Sequence, residues 1–465
     1  MPGLLQNLRY GLRVLRKAPG FTIVAVITLA LGIGANTAIF SVVYSALLAP
    51  LPYPASNQLV MVWSKVHGGR NSTAAADFLD WKRQNTVFQD LNAWTDANYN
   101  LATAERPEQI EAQMTTPGLY TMMGVKFAIG RDFTSDEGQP GKDHEVILFN
   151  RLWQRLGARR DIVGQQLRIN GEPYTVVGVM APGPTDRLST QLVVPLAFKP
   201  ETLNHDFHWL LVMGRLKPGV TMEQAQADMQ VVTARLAKDY PESNTGYGAS
   251  VEPLKDDFLP PERIRNLWLL MGAVGFVLLI ACANIANLLL AKGISRRREV
   301  AVRASLGATR RRVFAQFLTE SLTLSLLGGI AGVLLAFGMI KALLLLMPRY
   351  DLPSEADVRI SLPVLLFTFG ATIMAGILFG CVPAWQASGV SLNEALKEGG
   401  RTSSTSARHY ARRLLVVTEF GLALTLLASA GLALHSFFNI TRIDLGIRTD
   451  HILTFDFPNT DKRLG

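Results

Sequence analysis

Residues 292–312 read KGISRRREVAVRASLGATRRR. Lys292, Arg296, Arg297, Arg298, Arg303, Arg310, Arg311 and Arg312 stand there against a single acid, Glu299. The preceding run, residues 267–290 (LWLLMGAVGFVLLIACANIANLLL), carries no charge, and the following run, Phe314 to Ile340, carries only Glu320. An α-helix needs about 20 apolar residues to cross a bilayer, so both runs are long enough. Lys and Arg in short loops are retained on the cytoplasmic side. The stretch therefore reads as a cytoplasmic connector, residues 292–313, between two membrane spans. Once it is placed inside, every other segment has a side.

Downstream, residues 314–346 form the third span and 347–361 a short outer loop with Arg349 and Arg359 against Asp351, Glu355 and Asp357. Residues 362–387 form the fourth span. The linker 388–413 returns to the inside with Lys397, Arg401, Arg408, Arg412 and Arg413. Residues 414–438 form a fifth span, and 439–465 begin another outer segment. Upstream, residues 267–291 are the second span and 49–266 a long polar segment. Residues 21–48 are uncharged. That run is longer than the roughly 7–15 apolar residues of a signal peptide, so it reads as the first span. Residues 1–20 place Leu5, Leu8, Leu12 and Leu15 opposite Arg9, Arg13, Arg16 and Lys17. This is either an amphipathic helix on the inner leaflet or a basic flank that sets topology. With the N-terminus inside, segment 49–266 lies outside, and the charge rule is met at every turn.

The polar segment reads as a folded α+β domain. Asn170–Gly171 between Gln166–Asn170 and Pro173–Met180 signals a hairpin. Val146–Phe149, Leu192–Phe198 and Leu210–Leu216 read as further strands. Thr221–Tyr240 reads as a helix opened by a Thr221–Gln224 capping box, with Met222, Ala225, Met229, Val232 and Leu236 as its apolar stripe. A second helix is expected over Asp77–Leu91, anchored by Phe78, Trp81 and Phe88.

The totals agree with a membrane protein. There are 46 Lys and Arg against 37 Asp and Glu, a net charge of +9, and a mean hydropathy of +0.20. The basic residues cluster beside apolar runs, which argues for membrane orientation and against a nucleic-acid partner. The two cysteines, Cys282 and Cys381, both fall inside spans, which excludes a disulfide framework. No G-x-x-x-x-G-K-[ST] loop is present; Gly138–Asp143 has neither its spacing nor its hydroxyl. His205 and His208 make an H-x-x-H without a third ligand and read as loop residues. No acid–base, nucleophile or metal constellation points to an enzyme.

Polar and small residues inside spans are the remaining signals. Asn36 is the strongly polar residue of the first span, beside Gly32, Gly34, Ala35 and Ala38, which read as a small-residue packing face. Asn284 and Asn287 share a face of the second span and serve either helix packing or the lining of a path. Gly328 and Gly332, and Gly376 and Gly380, each form a G-x-x-x-G that permits close helix contact. Glu320, the intramembrane acid of the third span, is either a functional charge or a partner for the connector arginines. Ser295–Leu306 fits a short helix ended by Gly307. Its basic charge exceeds what topology requires, so it reads as a surface for a soluble cytoplasmic partner.

Two long stretches carry a family resemblance. Residues 295–336, SRRREVAVRASLGATRRRVFAQFLTESLTLSLLGGIAGVLLA, resemble the signature of FtsX/MacB-type ABC transporter permeases. Residues 16–54, RKAPGFTIVAVITLALGIGANTAIFSVVYSALLAPLPYP, are similar to the duplicated subgroup of that family. GRDFTSDE (130–137) and IVGQQLRINGEPYTVVGVMAP (162–182) resemble the MacB-like periplasmic core.

The resemblance implies a membrane helical bundle plus a periplasmic α+β domain of two lobes, with long transmembrane helices continuing into it. The inserted lobe would be 119–207, and the split lobe 59–115 with 208–257. Residues 267–387 would be the FtsX-like permease domain. Arg296, Arg297, Arg298, Glu299, Arg303 and Gly307 would form or end a coupling helix for a cytoplasmic ABC ATPase. ATP and Mg would sit on that partner, with no cofactor on this chain.

Further implied partners are the lipid bilayer, a periplasmic adaptor or outer-membrane channel, and a second permease unit, in a longer chain or a dimer. The order of basic flank, span and exit recurs from Ala411, as if a second unit begins there. The expected location is the inner membrane. The expected work is mechanotransmission that extrudes a substrate; the alternative is a non-transporting scaffold that relays an ATPase signal to a periplasmic enzyme such as a cell-wall hydrolase.

Overall fold

The computed structural model describes residues 13, 15–102, 107–183, 185, 189–257, 261–295, 309–346, 358–388 and 405–442. Among them, contacts divide the chain into a helical unit, up to Ala49 and from Pro261 onward, and an α+β unit between.

The helical unit contains α1 (Pro19–Val43), α6 (Pro261–Ser295), α7 (Arg310–Leu346), α8 (Leu362–Ser388) and α9 (Thr405–Thr441). All five are long and apolar enough to cross a membrane. Helix is the form such runs must take, because lipid offers no partner for a backbone N–H or C=O. α1 runs on into a turn of π-helix, Tyr44–Leu48. Its N-terminal flank is tied in at Thr22, whose hydroxyl donates to the Leu15 carbonyl at 2.8 Å. Arg13, Leu15 and Arg16 are helical, and Leu15 is buried; the rest of the expected amphipathic helix lies outside the described residues.

α1 packs between α6 and α7, and α8 packs on α7 and α6. Leu29, Ile33, Leu278, Ile285, Leu324 and Phe379 form the shared core. Hydroxyls enter it at little cost by bonding carbonyls one turn back, as Thr37 does to Ile33 and Thr372 to Thr368, each at 2.7 Å. By contrast, α9 leaves Val417, Phe420, Leu424 and Leu427 exposed.

The α+β unit is a twelve-stranded mixed sheet with helices. Its strands are β1 (Leu59–Val66), β2 (Gly69–Asn71), β3 (Thr73–Ala74), β4 (Phe88–Ala102), β5 (Pro107–Thr115), β6 (Phe127–Gly130), β7 (Glu145–Leu148), β8 (Gln166–Ile169), β9 (Glu172–Met180), β10 (Leu192–Pro195), β11 (His208–Leu216) and β12 (Tyr247–Pro253). The order is β12-β1-β11-β4-β5-β10-β7-β9-β6, with β2 on β1, β3 on β11, and β8 between β4 and β9. The helices longer than one turn are α2 (Ala75–Gln84), α3 (Leu119–Met123), α4 (Asn150–Arg155) and α5 (Met222–Asp239).

The sheet joins two lobes. Phe78 and Trp81 of α2 and Met229 and Leu236 of α5 pack on Val60, Val62, Leu210 and Val212. Leu152 of α4 packs with Leu148, Val176 and Leu192. The hairpin β4–β5 belongs to both lobes. Its Leu91 and Ala93 lie in the first core, while Leu101 and Ile110 lie in the second. At 15 residues, β4 is about 50 Å long, which lets one strand serve two cores.

The expected hairpin forms: Ile169 pairs with Glu172, and Asn170 and Gly171 both have positive φ, 50° and 81°. This is the paired left-handed geometry that an Asn–Gly turn supplies. The capping box of α5 also forms, with the Gln224 amide N–H donating to the Thr221 hydroxyl and the Thr221 N–H to Gln224 Oε1.

The helix expected over Asp77–Leu91 is corrected. It ends at Gln84, and Phe88–Leu91 open β4. Asn85 makes the break: its Nδ2 donates to the Trp81 carbonyl and its Oδ1 accepts from the Phe88 N–H. Phe88 and Leu91 reach the same core as Phe78 and Trp81, but from a strand.

Candidate coupling and packing sites

The connector is framed by two helix ends. α6 ends with Lys292 in its last turn, and the Lys292 ammonium stands 4.1 Å from the centre of the Phe21 ring at the start of α1. α7 begins with Arg310, Arg311 and Arg312, and the Thr309 carbonyl accepts from the Arg312 N–H at 2.9 Å. Arg296, Arg297, Arg298, Glu299, Arg303 and Gly307 lie outside the described residues. Glu320 is buried in α7, and its Oε1 accepts from Gln316 Nε2 one turn earlier at 3.3 Å.

The small residues of the spans stand at helix crossings. A Cβ on Gly328 would lie 2.5 Å from the Leu29 Cβ, and one on Gly332 would lie 3.1 Å from the Gly34 nitrogen, so both meet α1. A Cβ on Gly376 would lie 2.5 Å from Ser325 Oγ, and one on Gly380 2.7 Å from Ser321 Cβ, so both meet α7. Gly32 and Gly34 do not share the packing face read from the sequence. Gly32 faces Leu278 and Ala281 of α6, while Gly34 faces Gly332 and Leu335 of α7. Two residues at about 100° per step lie about 200° apart, hence on opposite sides.

Polar contacts bind the same crossings. Asn36 Nδ2 donates to the Gly32 carbonyl at 2.8 Å and across to the Val274 carbonyl of α6 at 2.7 Å. Thr37 and Thr368 share a hydroxyl–hydroxyl bond of 3.0 Å between α1 and α8. Asn284 is exposed; Asn287 is half-buried, and its Oδ1 has no hydrogen-bond partner among the described residues. Gly329 of α7 likewise leaves room for Thr372 of α8, whose Oγ1 would lie 2.5 Å from a Cβ there; neither this contact nor Thr37–Thr368 is signalled by the sequence. An isolated Thr or Gly in an apolar run carries no signal of its partner helix.

In the outer unit, His205 Nδ1 pairs with the buried Asp77 at 2.7 Å, and its ring stacks on Tyr240. Asp77 also accepts from Asn244 Nδ2 at 2.8 Å. His208 turns away, with Nδ1 on the Asp206 carbonyl and its ring on Tyr247. The two histidines therefore make separate contacts; His205 stands in a loop as expected, whereas His208 opens β11. No group of three or more His, Cys, Asp or Glu suited to a metal is found among the described residues.

The GRDFTSDE stretch is a structural knot. Arg131 forks onto Glu137 through bonds of 2.9 and 2.6 Å. Glu137 also accepts from the Thr134 N–H, closing a capping box on the short helix that follows. Asp132 accepts from the N–H and hydroxyl of Thr121. The Arg131 guanidinium is the main reason that the Glu137 carboxyl is held below its ordinary range, with the Thr134 N–H adding to it. Arg131, Asp132, Thr134 and Glu137 of the motif are thus spent on their neighbours.

Comparison with known proteins adds two matches in chain order. Residues 22–232 match the MacB-like periplasmic core domain. Residues 271–392 match the FtsX-like permease C-terminal domain. The pyoverdine export ATP-binding/permease protein PvdT of Pseudomonas syringae pv. tomato is 28% identical over 269 residues, which is 55% of this chain and 38% of PvdT. The uncharacterized ABC transporter permease YvrN of Bacillus subtilis is 26% identical over 292 residues, 60% of this chain and 68% of YvrN. The crystal structure of the periplasmic region of MacB from Actinobacillus actinomycetemcomitans has 14% identity and a TM-score of 0.35, covering 45% of this chain and 94% of that one. The match to this chain thus spans well under half of the length of PvdT.

Proposed function

We propose that this chain, which belongs to the FtsX/MacB-like ABC transporter permeases, is the membrane subunit that carries movement from a cytoplasmic ATPase to its own outer domain. The observation that supports the reading best is the order of parts. The MacB-like match takes in the first span and most of the α+β unit, the FtsX-like match holds the next three spans, and a strongly basic connector joins the second and third. Arg296, Arg297, Arg298, Glu299 and Arg303 form the surface that meets the ATPase, and Gly307 ends it. ATP and Mg belong to that ATPase.

In this reading the N-terminus and the connector face the cytosol, the α+β unit faces the periplasm, and the spans lie in the inner membrane. Closure of the ATPase pushes the connector, α6 and α7 carry the displacement, and the outer domain moves a substrate that is already outside the inner membrane. An adaptor or outer-membrane channel receives it. A second permease unit, in a longer chain or a second copy, completes the pair.

Charge reversal at Arg297→Glu with Arg298→Glu tests the docking surface. Stimulated hydrolysis by the copurifying ATPase is expected to fall to its basal rate, while membrane insertion is kept. Unchanged stimulation contradicts the assignment, and a stable complex with a cell-wall hydrolase that moves no substrate would favour a relay.

A further inference from the structure

We infer that the helical unit holds a binding site for a bilayer-resident amphiphile, a molecule with a long apolar body and one hydrogen-bond donor, received by Asn36. The site is a cavity of about 660 Å³ between α1, α6 and α8. It is lined by Met271, Gly275, Phe276, Phe367 and Met374, with Asn36 as the polar side chain of its wall. That volume lies within the range of small-molecule pockets, which are mostly apolar with a few placed polar groups.

Asn36 is 3% exposed. Both of its amide hydrogens are used, on the Gly32 and Val274 carbonyls. Two carbonyl acceptors fix which end of the amide is nitrogen, because the oxygen in that place would face two oxygens. The oxygen is thereby left as a strong acceptor, and no donor among the described residues reaches it. Asn36 lines the cavity, and an amide oxygen that faces an apolar space without water is costly unless it is hydrogen-bonded. A hydrocarbon tail fills the space but leaves the acceptor unmet; a molecule that ends in a hydroxyl or an N–H satisfies both.

The glycines give the cavity its room. A Cβ on Gly272, Gly275 or Gly370 would meet nothing within 4 Å. This contrasts with Gly328 and Gly376, whose places are filled by neighbouring helices. All three line the cavity, Gly272 and Gly370 at its exposed side, so they leave it open rather than bring helices together. The site is defined within the helical unit alone and goes beyond the coupling role proposed for the connector.

The test uses the full chain in phosphatidylcholine nanodiscs and a hexadecanol carrying a mid-chain diazirine, compared with its methyl ether. On illumination, adducts are expected on residues 271–282 and 367–378. The ether, which cannot donate, is expected to label roughly twofold to tenfold less, the value of one net hydrogen bond. Asn36→Leu is expected to bring alcohol labelling down to the level of the ether. Because that change also cuts the tie to Val274, Gly275→Leu is the second variant. It fills the cavity and leaves the bonds of Asn36 in place, and it is expected to abolish the labelling. Three results would each overturn the site: equal labelling by alcohol and ether, adducts spread evenly onto the exposed α9 side chains Val417 and Phe420, or labelling indifferent to Gly275→Leu.

Discussion

Gly130 and Gly178 pair where β6 runs antiparallel to β9; a Cβ on Gly130 would strike the Val177 carbonyl, and one on Gly178 the Arg131 carbonyl just past β6. Gly130 also has φ of +76°, where an L side chain is strained. Gly130→Ala is expected to destabilise the outer unit by about 1–3 kcal/mol, read as a lower denaturation midpoint. Gly171→Ala, at a positive φ with open space around it, is expected to cost less. A second prediction concerns Glu137. Its carboxyl is held below the ordinary range by Arg131, so its contribution is fully present above the unfolded value of about 4.3. It is lost as pH falls through the folded value. Glu137→Gln should therefore lower stability at neutral pH and flatten the acid limb, a comparison made by denaturation at pH 3 to 7. An acid limb identical to that of the unsubstituted chain contradicts the pairing. The motif's resemblance was legible in the sequence; that Arg131 closes on Glu137 was not, because it depends on a turn only the fold sets.

At the scale of elements, glycine spacing within the spans was legible, but the partner helices were not. Gly328 and Gly332 meet α1, whereas Gly376 and Gly380 meet α7, and nothing in an apolar run says which neighbour a small residue faces. Gly328→Leu must push into Leu29, an overpacking expected to cost about 1–3 kcal/mol, seen as a lower thermal midpoint in detergent. Gly421→Leu on α9, where a Cβ meets nothing within 4 Å, is expected to leave the midpoint unchanged. Equal effects would contradict the α1–α7 crossing. The α5 helix and the Asn170–Gly171 hairpin were legible because their signals are local, a capping box and a turn pair. The end of α2 was missed because Phe88 and Leu91 continue an apolar pattern while Asn85 changes its period.

For the whole molecule, alternating charge and hydropathy made the membrane assignment legible: five apolar runs, basic flanks and one long polar segment. The hydrophobic clusters of the α+β unit share no residue with the core of the helical unit, consistent with two matched domains in one chain. The sharing of β4 between two cores was not legible, since strand alternation looks alike in either lobe. The central claim is the side on which each part lies, and labelling with a membrane-impermeant thiol reagent tests it directly. With Cys282 and Cys381 replaced by alanine, single cysteines at Arg298 and at the exposed Ser189 are compared in cells whose outer membrane admits the reagent. Ser189→Cys is expected to be modified in intact cells and Arg298→Cys only after the inner membrane is opened. Modification of Arg298→Cys in intact cells, with Ser189→Cys protected, would contradict it.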